Sequence, residues 1–156
     1  MDLINNRTKE IAAMALDGLH ERSKAISANT VNVLTPGYQR KEVSFEKSLR
    51  DIIQRENEKE EIKIQNSIAY QKNPSNVLMG QTPEQIAFLN TQVNQDYLID
   101  VSTDMTEPNG MDGNNVNLES EMMDEARNGM QYQVVASLLS KSYSHLGMVI
   151  KGKINN

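Results

Sequence analysis

Ala12, Leu16, Leu19, Ser23, Ile26, Thr30 and Val33 stand alternately four and three residues apart. That spacing is a heptad seam, and it predicts a helix over 8–33, with small or hydroxylated residues at Ala12, Ser23 and Thr30 where a partner can approach closely. Such a helix, roughly 40 Å long at ~1.5 Å per residue, is marginal alone and takes its stability from a partner surface. A second seam closes the chain. Tyr132, Val135, Leu139, Ser142, Leu146 and Val149 form one stripe of a helix predicted from Asn117 to about Lys151. Asn117 is a good N-cap, with Glu119 and Glu121 in the first turn. In the first half of that helix the stripe drifts to Leu118, Met122, Ala126 and Met130.

Two seamed helices at opposite ends favour a mainly α chain, and an elongated helical assembly over a compact α/β enzyme. The composition fits. Of 156 residues 38% are apolar, with no Trp, two Phe and five Tyr, so a core rests on Ile, Leu, Val and the nine Met rather than on aromatics. The charge is uneven. Between Ile64 and Asn117 the only base is Lys72, against Glu84, Asp96, Asp100, Asp104, Glu107 and Asp112, which accounts for the whole net −5. The neutral flanks can pack in many copies, and the acidic middle stays solvated. A net −5 without clustered bases also argues against nucleic acid as a partner.

Between the seams the chain divides into 1–35, the first helix; 36–64, a turn and a charged helix; 65–116, an irregular middle; and 117–156, the last helix. The first break is "NTVNVLTPGYQRKEVSF", 29–45. Asn29 and Asn32 suit a helix end, because asparagine tolerates the left-handed conformation found there. Pro36-Gly37 fits the centre of a type II turn between Thr35 and Tyr38, with Gly37 at positive φ. A second helix is expected from Ser44 as N-cap, with Phe45, Leu49, Ile52 and Ile53 on a short apolar face, before "QRENEKEEIK" reads as a solvated face laced with ion pairs. The middle holds a loop at 73–76, a short helix from the capping-box Thr82 to about 94, room for a short strand over 97–102, and turns at Asn109-Gly110 and Asp112-Gly113.

Reactive chemistry is hard to find. There are no cysteines for disulfide or metal-thiolate sites. His20 and His145 lack any metal-ligand or triad context, and lone helical histidines are far more often structural. No Gly-rich phosphate loop or nucleophile elbow occurs, so no catalytic residue, cofactor, metal or small-molecule substrate is expected. The first residues lack the basic start and continuous apolar run of a cleaved signal peptide, and no stretch approaches the ~20 apolar residues of a membrane span.

The ends carry a resemblance. "ALDGLHERSKAISANTVNVLTPGYQRKEVSFEKSLRDII" resembles the N-terminal signature of bacterial flagellar rod and hook axial proteins, and "DGNNVNLESEMMDEARNGMQYQVVASLLSKSYSHLGMVI" resembles the matching C-terminal one. Asn29 and Asn32 keep the two asparagines that the family places before Thr-Pro-Gly-Tyr, with Val31 where alanine is usual. The resemblance implies a non-enzymatic structural subunit of the basal-body proximal rod, with an axial-protein inner domain of paired terminal helices. It implies export by the flagellar type III apparatus without signal cleavage, to a place running outward from the inner membrane through the periplasmic space. The implied partners are copies of itself, other rod subunits, and the membrane-ring and export-gate proteins. Subunit contacts would then fall on Leu16, Leu19, Ile26, Asn29, Asn32, Thr35, Pro36, Gly37, Tyr38, Phe45, Leu49, Met122, Tyr132, Val135, Leu139, Leu146 and Val149, with 36–64 as an intersubunit arm. The alternatives are a neighbouring short rod subunit or, in another class, a free-standing coiled-coil adaptor or chaperone.

Overall fold

The computed structural model describes residues 6–72, 85, 88–89, 97–105, 112–150 and 152. In chain order the elements are α1 (Asn6–Val31), β1 (Lys41–Ser44), α2 (Glu46–Lys72), β2 (Asp100–Thr103) and α3 (Leu118–Ile150). The chain is mainly α, with two long terminal helices as the seams require. The chain forms two compact units, one of Met1–Glu46 with Leu98–Asn156 and one of Lys47–Tyr97.

In the first unit α1 and α3 run antiparallel. Asn29 meets Glu121, Ser23 Oγ donates to Glu125 (3.1 Å), Asn128 Nδ2 donates to the Leu19 carbonyl (2.9 Å), and the Lys9 ammonium lies 5.2 Å from the Tyr143 ring centroid. Leu19 and Ile26 of the expected seam are buried, as are Met14 and Ala25. Burial of Leu19, Ile26 and Met14 is worth roughly 1.5–3 kcal/mol each. On α3 Val135, Leu139 and Leu146 are half-buried, whereas Tyr132 is exposed.

The ends of the elements are set locally. Asn117 Oδ1 accepts from the amides of Glu119 (2.9 Å) and Ser120 (3.2 Å), which is the N-cap that starts α3. The expected left-handed asparagine at the end of α1 is absent, since no described non-glycine residue has positive φ. Instead the last turn tightens, with Val33 N donating to Thr30 O (3.4 Å) and Thr35 N to Asn32 O (2.9 Å). The turn after it matches expectation. Tyr38 N donates to Thr35 O (3.2 Å) and Gly37 has φ 71°, as a type II turn centred on Pro36-Gly37 needs.

Two expectations need correcting. Residues 41–44 form a strand that mixed charges concealed, so Ser44 ends β1 and the helix begins at Glu46. β1 pairs antiparallel with β2, Lys41 opposite Thr103 and Ser44 opposite Asp100. The second strand therefore starts three residues beyond the expected start and ends one residue beyond the expected end. A two-stranded ribbon is marginal alone, and this one leans on α1 through the buried Val43.

In the second unit, the charged run of α2 is not wholly solvated. Lys59 is 3% exposed, ion-paired with Glu56 at 2.6 Å, and its ammonium lies 5.8 Å from the Phe88 ring centroid. Pairing and the aromatic face together make that burial tolerable. The 73–76 loop, most of the 82–94 helix, Asn109-Gly110 and Lys151 lie outside the described residues.

Candidate functional site: the joint between the two ends

The break after α1 and the entry to α3 meet in one polar joint. At its centre Asn29 is fully buried. Its Nδ2 donates to Lys41 O (2.9 Å) and to Glu121 Oε2 (3.2 Å), while its Oδ1 accepts from Lys41 N (2.8 Å) and from the Tyr38 hydroxyl (3.2 Å). A carboxamide fits here because the site needs two donors and two acceptors on one planar group. Leucine would fill the space and strand all of these partners.

Arg40 closes the second layer. Its Nε donates to Glu121 Oε1 at 2.6 Å, one terminal nitrogen to Asp124 at 3.2 Å, and the other lies 3.6 Å from Asp104. Glu121 is completely buried, and Arg40 is the cation placed against it. Burial works against the Arg40 charge. The bond and field of Glu121, with Glu42 and Asp124, overcome it and hold the guanidinium protonated more firmly than usual. Burial, then the Glu121 charge, pushes the Tyr38 hydroxyl up, keeping it a proton donor.

The asparagine pair of "DGNNV" completes the joint. Asn114 Nδ2 lies within hydrogen-bond distance of three carbonyls in the break after α1, those of Asn32 (2.9 Å), Val33 (3.0 Å) and Thr35 (2.9 Å). Asn115 Oδ1 accepts from Arg40 N (2.6 Å) and its Nδ2 donates to Asp104 O (3.0 Å). The two turns lie against each other. Gly37 N donates to Asp112 O (2.8 Å), and a Cβ added at Gly113, at φ 77°, would meet the Gly37 Cα at an ordinary contact distance of 3.6 Å.

On the far side of β1, Phe45 lies flat on α1. A Cβ at Gly18 would be 2.4 Å from the Phe45 ring, so only glycine admits the ring there. Arg22 covers the ring at 4.7 Å, donates to Val43 O (2.9 Å) and pairs with Glu46. Burial opposes the Glu46 charge, but the Arg22 bond, with the amides of Glu46 and Phe45, holds its carboxyl below the usual carboxylate range.

The joint thus gathers Asn29, Asn32 and Tyr38 with the Thr35–Gly37 turn, and Phe45 packs beside it. Leu49 is half-buried on α2, Met122 is 65% exposed on α3, and Leu16 is half-buried on α1. The side chain of Val149 lies outside the described residues. Tyr38 bonds to Asn29 through its hydroxyl, and Phe45 packs on α1 at Gly18. Arg40, Asn114, Asn115, Glu121, Asn128 and Gly18 were not among the expected site residues. A signal for two of them existed: stepping back by sevens from Val135 reaches Asn128 and Glu121, polar residues at seam positions. Arg40 and Gly18 had no such signal.

Among the described residues no group of three side chains could hold a metal ion, and no helix is long and apolar enough to cross a membrane.

No family model matches the chain. It is 26% identical over 141 residues to the flagellar basal body rod protein FlgB of Escherichia coli, covering 90% of this chain and 86% of that protein. It is 28% identical over 144 residues to FlgB of Borrelia hermsii, covering 91% and 94%. With FlgB of Borreliella burgdorferi it shares 24% over 148 residues, covering 93% and 96%. The likeness runs through both ends and through the middle segment between them. Over some nine-tenths of its length the chain is similar to the FlgB-type flagellar basal body rod proteins.

Proposed function

We propose that this chain is a non-enzymatic structural subunit of the flagellar basal-body rod, in its proximal part, which polymerises through its terminal helices. The observation that carries the reading is that similarity to FlgB proteins spans both end signatures, and these signatures form one joint across 92 residues of sequence. The rod reading belongs with partners in the basal body: further copies, neighbouring rod subunits, and the ring and export-gate proteins at the base. Transit by the flagellar export apparatus, without a cleaved signal, is part of the same proposal.

The role is passive. Torque is transmitted if each subunit resists bending within itself and against its neighbours. The joint supplies the first property, because it ties α1, the ribbon and α3 at one point through groups that have no second way to be satisfied. The exposed apolar residues of the ends supply the second. At ~25 cal/mol per Å², roughly a few hundred Å² per contact yields several kcal/mol before ordering costs. Of the expected contact residues, the exposed Thr35, Pro36, Gly37, Met122 and Tyr132 are the ones this proposal keeps at a neighbour, with 36–64 as the intersubunit arm, while Leu19, Ile26, Asn29 and Phe45 are buried within the subunit.

Deletion and complementation test it. A strain lacking the gene should assemble no rod or filament and should not swim, and the intact gene should restore both. Normal swimming without the chain would remove the rod reading, and a closed dimer with one cytoplasmic partner would favour the adaptor.

A further inference from the structure

Met122 lines two apolar grooves at once. One runs along α3 beside Leu118, Met123 and Ala126, and the other lies against α1 beside Ile26 and Val31. The side chain is 65% exposed, so a small oxidant can reach its thioether in the free chain. Met130 and Met123 are exposed on the same helix, whereas Met14 on α1 is buried. The chain has no cysteine, so thioether is its only sulfur. Met105 is more exposed still, at 89%, but it lines neither groove.

Oxidation of methionine follows exposure and converts a flexible apolar side chain into a polar, chiral one. The chemistry needs a hydroperoxide and nothing from the protein beyond access. A lone pair on Sδ attacks the terminal oxygen of the hydroperoxide, the O–O bond breaks and an S–O bond forms. The proton on the transferred oxygen passes to the departing oxygen, which leaves as water or an alcohol. Sulfur gives up two electrons and the peroxide takes them. In the reverse direction a methionine sulfoxide reductase removes the oxygen as water while two thiols become a disulfide.

We propose that Met122 is a reversible oxidation site whose sulfoxide turns both grooves polar and so keeps an oxidised chain out of assembly. The sulfoxide oxygen is an acceptor that water satisfies in the free chain. A neighbour's apolar side chains seated on the grooves would bury that oxygen without a donor, which weakens the seating. The oxidation itself stands apart from the rod reading, while its effect on assembly rests on that reading.

Peptide mapping of the purified full-length chain after brief treatment with hydrogen peroxide tests the chemistry. Met122 should gain its oxygen several-fold faster than Met14. A pair of methionine sulfoxide reductases, one for each sulfoxide epimer, should return it to methionine. Met122→Gln and Met122→Leu test the consequence in a strain lacking the gene. Glutamine is close to methionine in length and carries a fixed oxygen, whereas leucine stays apolar and has no sulfur. Both variants should melt as the parent does, and Met122→Leu should restore swimming while Met122→Gln should not. Oxidation of Met122 no faster than that of Met14, a sulfoxide that the reductases leave in place, or equal motility of the two variants would each overturn the inference. None of these results touches the rod reading, which falls if the deletion strain itself swims.

Discussion

Asn29 on α1 and Glu121 on α3 lie 92 residues apart in the chain, share a 3.2 Å hydrogen bond, and expose none of their surface. Neither side chain can be removed without leaving a buried group unpaired. Asn29→Ala strands the Lys41 amide, the Tyr38 hydroxyl and one lone pair of Glu121. We expect a loss of about 2–3 kcal/mol, read by urea denaturation of the purified chain. Asn29→Asp should be worse than Asn29→Ala, because it places a second carboxylate against Glu121.

Gly18 and Phe45 are a steric pair. Gly18→Ala puts a methyl 2.4 Å from the ring and should cost about 1–3 kcal/mol. Phe45→Ala should be costly as well, but the double variant should be distinctly less destabilised than the two added together, since the ring that the methyl meets is gone. Strict additivity in a double-mutant cycle would contradict the contact.

The turn makes a cleaner separation. Gly37 has φ 71° and nothing within 4 Å of an added Cβ, so Gly37→Val suffers only from backbone strain, about 1–2 kcal/mol. Gly37→Val should therefore block rod assembly more than it harms the monomer, through the direction it gives the chain after α1. Thermal melting of the variant beside a motility assay compares the two effects.

Acid should weaken the fold through Glu46. Its carboxyl is held below the usual carboxylate range in the folded chain, so its contribution is present above the unfolded-state value and is lost as pH falls through the lowered folded value. Glu46→Gln should lower stability at neutral pH, and the difference from the parent should shrink on acidification below the ordinary carboxylate range. A difference independent of pH would contradict the Arg22 pairing.

The helices were legible because seam periodicity is carried by many residues at once, and Pro36-Gly37 was legible because proline and glycine constrain backbone angles directly. β1 was not: "KEVS" offers one apolar residue, and its strand depends on α1 below it and β2 beside it, a partner about sixty residues away. The joint was half legible. Asn29, Asn32 and Tyr38 stood in a recognisable signature, but Arg40 and Glu121 read locally as solvent charge and as a helix-dipole acid. Only the return of the chain through Asp112-Gly113 makes them partners. Gly18 was invisible for the same reason, since its need for a missing side chain is set by Phe45 from another element.

The most direct test of the account is a map of basal bodies from cells carrying the parent chain or its seam variants Leu19→Asp and Leu139→Asp, with His20→Ala as the surface control. The account predicts the parent and His20→Ala chains within complete rods, and no rod with either seam variant. Complete rods and swimming cells with Leu19→Asp or Leu139→Asp, or rods that lack this chain, would contradict it.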